Sequence, residues 1–209
     1  TLWHTLSLHD ALPISLQFTN PRPDDKELGK YYDSDHYISH SNKSTHLVNR
    51  LYKFVRQFTL QQKLKLINDL AKKDRLLDVG CGTGEFLKVA KDDGWNISGI
   101  EPAEAARQQA EKLIGIKFFE DLYACDEKSS FKLITLWHVL EHLPELNRVI
   151  DHLKYLLHRK GRLIIALPNH ESFDAKRYKQ YWAAYDVPRH LYHFRSEEHT
   201  SELQSLLII

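Results

Sequence analysis

Apolar residues along the middle of the chain alternate between two patterns. Short continuous runs are typical of buried strands, and a spacing of three to four residues is typical of helices. The predicted strands are residues 75–78, 96–101, 117–120, 131–137 and 162–168. The predicted helices are residues 85–92, 103–114 and 146–157. Five strands separated by helices predict an α/β fold with a parallel sheet and right-handed crossovers.

Two amphipathic stretches precede this alternation and predict an N-terminal helical extension. The first begins near Ser44 and carries one apolar face, and the second covers residues 60–71. The lysines of the second stretch are interpreted as a solvated face; they are Lys63, Lys65, Lys72 and Lys73. Residues 16–44 are polar and predict an irregular segment, either an arm packed on the surface or a flap that closes over a ligand.

The segment 76–87 joins a predicted strand to a predicted helix through three alternate glycines, Gly80, Gly82 and Gly84. Glycines allow a ligand to approach the backbone because no Cβ stands in the way. The N–H groups at the start of a helix favour a negatively charged or polar ligand group. This turn therefore predicts a nucleotide-like ligand.

Glu101 ends the second predicted strand, 21 positions after Gly80. In doubly wound sheets, an acid at this place accepts hydrogen bonds from ribose hydroxyls. The dinucleotide fingerprint G-x-G-x-x-G needs a third glycine where this chain has Glu85 or Leu87. The glycine spacing therefore disfavours a nicotinamide-dependent oxidoreductase, which is kept as the alternative enzyme class.

Residues 77–84, with the sequence LDVGCGTG, resemble the first motif of class I S-adenosylmethionine-dependent methyltransferases. The likeness covers residues 74–170 and includes segments 99–102, 131–134, 139–144 and 160–169. Residues 186–194 resemble a bacterial small-molecule subgroup, similar to the ubiquinone-pathway O-methyltransferases. The resemblance implies a Rossmann-like fold with helices on both faces of the sheet, S-adenosylmethionine as cofactor, and an unidentified small-molecule acceptor. A cofactor-binding but inactive module remains the non-enzymatic alternative.

The resemblance also implies a set of cofactor-binding residues. They are Asp78, Gly80, Gly82, Gly84, Glu101, Pro102, Asp121, Leu122, Trp137 and His138. The glycines would lie against the methionine part of the cofactor, with Asp78 supporting the turn or meeting the amino group. Glu101 would hold the ribose, and Asp121 and Leu122 would meet the adenine. Trp137 and His138 would border the sulfonium and the acceptor pocket.

Catalytic residues are not identified by these patterns. A base is needed only where the acceptor loses a proton, and His142, His190 and His193 are the candidates. In the related ubiquinone-pathway enzymes, a Glu three positions before a Glu-His pair is associated with a divalent metal. Here His138 stands at that position, so no metal site is predicted. Aromatic residues after the fifth strand form either an acceptor lid or a small local core; they are Tyr178, Tyr181, Trp182 and Tyr185.

The composition of the chain bears on its size class, its binding partners and its cellular location. The 209 residues, 42% of them hydrophobic and 27% charged, suit one globular domain. A net charge of +1 does not predict binding to nucleic acid. No apolar run approaches the roughly 20 residues of a membrane span. The two cysteines, Cys81 and Cys125, make no disulfide framework and suggest a cytoplasmic location.

The two ends of the chain resemble translated sequencing-adapter sequence, at residues 5–14 and 195–205, and the chain contains no methionine. On this hypothesis the chain divides into a tail (1–15), an N-terminal arm with helices (16–73), the cofactor-binding core (74–170), an acceptor-side segment (171–194) and a second tail (195–209). We then expect the last two strands of the fold to be missing. Such a loss would leave the fifth strand as an apolar edge prone to aggregation.

Overall fold

A parallel sheet of five strands organises the computed structural model, which describes residues 17–24, 46–194 and 206–208, with the side chains of 17–24 and 53–194. In chain order the elements are β1 (Gln17–Phe18), α1 (His46–Leu70), β2 (Arg75–Val79), α2 (Glu85–Asp92), β3 (Asn96–Ile100), α3 (Glu104–Ile114), β4 (Phe131–Trp137), α4 (Leu146–Leu156), β5 (Leu157–Ala166), α5 (Phe173–Tyr178), β6 (Tyr192–His193) and β7 (Leu206–Ile208). Short 3-10 helices cover Leu140–His142, Lys179–Tyr181 and Ala183–Tyr185.

The strand order in the sheet is β3-β2-β4-β5-β7, and every neighbouring pair runs parallel. Val79 at the end of β2 pairs with Ile100 at the end of β3 and with Leu136 near the end of β4. The residues that follow these three strands therefore lie at the same edge. In open parallel sheets this carboxyl edge is the usual place for a ligand.

Two apolar clusters lie on opposite faces of the sheet and explain why the strands read as continuous apolar runs. One cluster includes Leu77 of β2 and Leu153 of α4. The other includes Leu76 of β2, Leu87 of α2 and Ile67 of α1. Successive residues of β2 point to opposite faces of the sheet, and each of these faces packs against helices. The predicted α/β fold is confirmed.

The predicted third strand, residues 117–120, is wrong as a full strand. Phe119 forms a single parallel bridge with Ile100, and its carbonyl accepts a hydrogen bond from the Glu101 N–H at 3.0 Å. Pairing ends there because the chain turns at once: the Asp121 carboxylate accepts hydrogen bonds from the N–H groups of Tyr123 and Ala124. A local side-chain bond thus competes with the strand ladder.

The N-terminal extension is one helix, α1, rather than two. No proline or glycine interrupts residues 46–70, so nothing in the sequence breaks the helix. Its second half packs on the sheet through Leu60 and Ile67, whereas Phe54 and Phe58 in the first half are 70% and 57% exposed. The apolar pattern thus predicted the helix but not which part of it is buried. Lys63 also departs from its interpretation as solvated, as described below.

The end of the sheet differs from expectation as well. Strand β5 begins at Leu157, directly after α4, rather than at Arg162. The expectation that β5 is left as an apolar edge is wrong, because β7 pairs with its residues 163–165.

Residues 1–16, 25–45 and 195–205, which include most of both tails and of the proposed flap, lie outside the described residues. Among the described helices, none combines the length and the apolar character needed to cross a membrane.

Candidate functional site

The glycine turn between β2 and α2 is held by backbone hydrogen bonds to β3. The N–H groups of Gly80 and Cys81 donate to the carbonyl of Ile100, at 2.8 and 3.0 Å. Gly80, Gly82 and Gly84 have φ values of 72°, 55° and 81°. These values lie in the left-handed region, where residues with a Cβ are strained. The alternate glycines therefore follow from the shape of the turn itself.

The three glycines differ in the atoms that surround them. A Cβ on Gly80 would come within 2.5 Å of a Val139 methyl group, and one on Gly84 would come within 2.8 Å of the Ala110 Cβ. A Cβ on Gly82 would meet nothing within 4 Å among the described residues. Gly80 and Gly84 thus permit close protein packing. Gly82 borders open space, and it is where a ligand can approach the turn.

This difference predicts the stability of two matched variants. Gly84→Ala adds a Cβ at positive φ and against α3, so we expect it to cost about 1–2 kcal/mol of strain and a further 1–3 kcal/mol of overpacking. Gly115 has a similar φ of 80°, but an added Cβ would meet no described atom within 4 Å. Gly115→Ala should therefore lower the free energy of unfolding only by the cost of backbone strain. Urea unfolding of both variants measures the difference, and equal losses would contradict the packing assignment.

Glu101 links the glycine turn to the start of α3. Its side chain is buried, at 6% exposure. One carboxylate oxygen accepts a hydrogen bond from the Gly82 N–H at 2.8 Å, and the other accepts from the Ala103 N–H at 2.9 Å. Each carboxylate oxygen has a second lone pair. Glu101 can therefore brace the turn and still accept hydrogen bonds from ligand hydroxyls beside Gly82.

Asp78 lies beneath the turn with 2% exposure. The Thr135 hydroxyl of β4 donates a 2.6 Å hydrogen bond to its Oδ1. Burial raises the pKa of Asp78 to about 7, although the Thr135 hydrogen bond and the positive charge of Lys63 both oppose the rise. Burial also lowers the pKa of Lys63. The site thus contains a carboxyl group that changes charge near neutral pH.

Trp137 and His138 follow at the end of β4. The Lys63 ammonium lies 4.5 Å from the centroid of the Trp137 ring, and the Phe86 ring forms a T-shaped pair with Trp137, with ring centroids 5.6 Å apart. The Trp137 Nε1 is buried with no hydrogen-bond partner among the described residues. His138 adopts a φ of 59° and is 62% exposed. The Trp137 face therefore accepts a cation at the ligand edge of the sheet.

The remaining predicted cofactor residues contact the protein itself. The Asp121 carboxylate caps the turn that follows it, and Leu122 is buried in one of the two apolar clusters. Pro102 is exposed, and its carbonyl accepts a hydrogen bond from Arg107. Their predicted roles toward adenine and ribose stay predictions. The structure brings the glycine turn, Asp78, Glu101 and Trp137 to one edge.

The candidate bases His142 and His190 lie against each other, with ring centroids 4.5 Å apart. Glu141 beside them is fully buried, and neither of its carboxylate oxygens has a hydrogen-bond partner among the described residues. Burial, followed by the neighbouring His142, lowers the pKa of His190. Burial lowers the pKa of His193 to about 4. These polar side chains are therefore packed against one another, and most of them are buried.

The aromatic group after β5 is only partly assembled. Trp182 packs edge-on against Tyr185 at 5.3 Å, and Tyr185 contacts His193 at 5.5 Å. Tyr178 and Tyr181 are 53% and 81% exposed. The first pair forms a local core with the histidine segment, and the second pair remains available to a ligand or lid.

Sequence reasoning missed two functional contacts. Thr135 is a polar residue within the apolar strand β4, and this exception could have marked it as a partner for a buried group. Lys63 gave no comparable signal, because a lysine on an amphipathic helix usually faces water. Only the packing of α1 on the sheet brings it over Trp137.

Comparison with known proteins supplies the family context. The methyltransferase domain family matches residues 49–206. The chain is 34% identical over 142 residues to a ubiquinone biosynthesis O-methyltransferase of Actinobacillus pleuropneumoniae serotype 7 (strain AP76), covering 62% of this chain and 57% of that protein. It is 33% identical to the corresponding protein of Haemophilus ducreyi (strain 35000HP / ATCC 700724), covering 70% and 65%. The chain thus spans less than two thirds of the length of these relatives.

Solved structures share the fold at lower identity. The magnesium protoporphyrin IX methyltransferase of Synechocystis PCC 6803 with bound SAH matches with a TM-score of 0.60 and 19% identity, covering 84% of this chain and 85% of that one. A SAM-dependent methyltransferase from Archaeoglobus fulgidus matches with a TM-score of 0.56 and 21% identity, covering 73% and 70%. These likenesses confirm the Rossmann-like class I fold.

Proposed function

The chain belongs to the methyltransferase domain family, and on that premise we propose that it transfers the methyl group of S-adenosylmethionine to a small-molecule acceptor. The observation that carries the proposal is the open space at Gly82, bordered by the Glu101 carboxylate. A ligand in that space meets a hydroxyl-binding carboxylate on one side and a cation-binding Trp137 ring near the end of β4.

These residues fit the chemical parts of S-adenosylmethionine. Glu101 would hold the ribose hydroxyls while it braces the turn through the Gly82 N–H. The Trp137 ring, which faces the Lys63 ammonium, would also face a positively charged part of the cofactor. The buried Trp137 Nε1 offers a further donor to a polar ligand atom. When bound, the cofactor supplies a methyl group on a positively charged sulfur, which is a good leaving group.

The chain's own contribution is mainly positioning. Holding two reactants in line supplies a large share of the acceleration when the leaving group is already good. A base is needed only if the acceptor loses a proton, and His142 and His190 remain the candidates. Because these two rings pack on each other and His190 is buried, we assign neither of them to proton transfer.

The acceptor is proposed only as a class. The curated relatives named above are ubiquinone biosynthesis O-methyltransferases, and this supports a small-molecule acceptor rather than a macromolecule. The exposed Tyr178 and Tyr181 beyond β5 lie in the acceptor-side segment and would suit an apolar acceptor.

Isothermal titration calorimetry of the full chain separates the candidate functions. We expect S-adenosylhomocysteine to bind in one-to-one stoichiometry and NADH not to bind, because the turn lacks the third glycine of a pyrophosphate site. The absence of S-adenosylhomocysteine binding at millimolar concentration would overturn the proposal, and NADH binding would favour the oxidoreductase alternative. A screen for transfer of a labelled methyl group to metabolites then separates an enzyme from an inactive module.

A further inference from the structure

His138 and Glu141 form a pair beside the carboxyl edge of the sheet. The Nδ1 atom of His138 lies 3.7 Å from the Oε1 atom of Glu141. We propose that His138 is the general base that takes the proton of a hydroxyl acceptor, and that Glu141 is the positioning residue that orients the His138 ring. The inference rests on the proposed function and deepens it, because it names the acceptor as a hydroxyl compound.

Glu141 is the strongest sign of such a pair. Its side chain is 0% exposed, and both of its carboxylate oxygens lack a hydrogen-bond partner among the described residues. An isolated buried charge is costly, so buried charges in proteins are generally paired. A proton taken up by His138 would supply the missing positive partner. The carboxylate is therefore complementary to the charge that His138 acquires when it acts as a base.

His138 lies where an acceptor can reach it. It directly follows β4, and 62% of its side chain is exposed. The next residue, Val139, lies against the glycine turn, because a Cβ on Gly80 would come within 2.5 Å of a Val139 methyl group. His138 is therefore next to the turn that we assign to the cofactor, and its ring is open to a second reactant.

The other histidines of this region are less suited to proton transfer. The Nδ1 atoms of His142 and His190 lie 3.1 and 2.8 Å from backbone carbonyls, and the two rings pack on each other. His193 is 4% exposed. Ring nitrogens of His142 and His190 also lie within 4.8 Å of the Glu141 carboxylate, so these rings help to enclose it. His138 combines contact with Glu141 and exposure at the ligand edge.

The backbone holds both members of the pair in place. His138 has a φ of 59°, and its N–H donates to the Ala166 carbonyl of β5 at 3.0 Å. The Glu141 carbonyl accepts a hydrogen bond from the Leu191 N–H at 2.7 Å. A residue with a Cβ is strained at such a φ, and strain of this kind persists where surrounding structure holds it, often at active sites.

The step conserves atoms and electrons. The acceptor oxygen bonds to the methyl carbon while the bond from that carbon to sulfur breaks, and the sulfur keeps the electron pair. The hydroxyl proton passes to Nε2 of His138, and Nδ1–H of the same ring faces Glu141. Catalytic hydrogen bonds are often long before the substrate binds and tighten afterwards, so a separation of 3.7 Å is compatible with this role. The exposed imidazolium then returns its proton to water.

Nuclear magnetic resonance of the full chain with ¹⁵N-labelled histidine tests the pair without any acceptor. Long-range ¹H–¹⁵N spectra show which ring nitrogen carries the proton, and His138→Gln identifies the His138 signals. At mildly alkaline pH we expect the His138 proton on Nδ1, because a carboxylate facing one ring nitrogen fixes the tautomer. In Glu141→Gln the proton should be shared between the two nitrogens. A proton on Nε2 in the unchanged chain, or no difference in Glu141→Gln, would overturn the role of Glu141.

Transfer of a labelled methyl group to phenol and to 4-nitrophenol tests the base. Phenol keeps its proton near neutral pH, whereas much of 4-nitrophenol is already ionised there. General-base catalysis contributes about 100-fold or more, so His138→Gln should slow transfer to phenol by about that factor. The same variant should retain transfer to 4-nitrophenol, which needs no base. Equal losses with the two phenols, or transfer to neither by the unchanged chain, would overturn the proposal.

His158→Gln is the matched control. His158 is an exposed histidine at the start of β5, which is the opposite edge of the parallel sheet, so this variant should behave as the unchanged chain does. Near-ultraviolet circular dichroism and S-adenosylhomocysteine titration establish that the variants are folded. Failure of the unchanged chain to bind S-adenosylhomocysteine would remove the proposed function as well. Normal binding with equal rates for His138→Gln and the unchanged chain would remove only the assignment of His138.

Discussion

Glu101→Ala is expected to raise the Kd for S-adenosylhomocysteine by about 100-fold. The alanine removes the acceptor for ribose hydroxyls and also the acceptor for the Gly82 N–H that holds the turn in place. Hydrogen bonds to a charged group contribute about 1.5–3 kcal/mol each, and 1.4 kcal/mol corresponds to a factor of ten. Loss of two bonds to the ribose hydroxyls, taken at the lower end of this range, amounts to about 3 kcal/mol and therefore to about two orders of magnitude, measurable by isothermal titration calorimetry.

Glu104→Ala is the matched control for this change. Glu104 begins α3 three residues later, is exposed, and among the described residues its side chain accepts a hydrogen bond from Gln108. It should bind S-adenosylhomocysteine as the unchanged chain does. Glu101→Gln keeps one carbonyl acceptor and should lose less affinity than the alanine variant. An alanine variant with unaltered affinity would show that Glu101 only braces the turn, and the ribose assignment would then be wrong.

The parts of this site that the sequence predicted are the local ones. A run of buried residues, three alternate glycines and a helical pattern are contiguous from residue 76 to 87, so the strand, turn and helix follow from neighbours in the chain. Glu101 was found because parallel strands end at the same edge of a sheet. The family match to residues 49–206 confirms the resemblance to class I methyltransferases that these motifs indicated.

What the sequence did not predict depends on contacts between distant segments. Lys63 lies over Trp137 although the two are 74 positions apart, and a helical pattern alone cannot tell a solvated lysine from one that folds back over the sheet. His190 meets Glu141 only because the chain returns past the end of β4. The strand predicted at 117–120 failed because the Asp121 side chain captures the backbone that would extend it. The spacing of apolar residues along the chain gives no information about these contacts.

The glycine turn illustrates the same division. The sequence assigned all three glycines one role, against the cofactor, but their surroundings distinguish them. Val139 and Ala110 occupy the space beside Gly80 and Gly84, and neither residue could have been linked to the turn from its position in the chain. Only Gly82 is left beside open space. The glycine that has room for a ligand is therefore identified by packing, whereas the existence of the turn is identified by sequence.

Asp78 should make the stability of the protein depend on pH in the direction opposite to an ordinary carboxyl group. Burial raises its pKa in the folded chain from 3.8 to about 7, so folding favours the protonated form. The contribution to stability is fully present below about pH 4 and is lost as the pH rises through about 7. A shift of about three pKa units corresponds to about 4 kcal/mol, so Asp78→Asn should remove up to that much of the decline between pH 4 and 9.

Urea unfolding of the unchanged chain and of Asp78→Asn at a series of pH values measures this effect. The asparagine oxygen can still accept the hydrogen bond from Thr135, so the comparison isolates the charge. Thr135→Val gives the complementary test: the Thr135 hydroxyl lowers the pKa of Asp78, so its removal should raise that pKa further and deepen the loss of stability at alkaline pH. Parallel pH profiles for Asp78→Asn and the unchanged chain would mean that another group titrates. In that case Asp78 would stay negatively charged in the folded chain. The Lys63 ammonium, which interacts with Asp78 and also lies over the Trp137 ring, would then be the group that balances this charge.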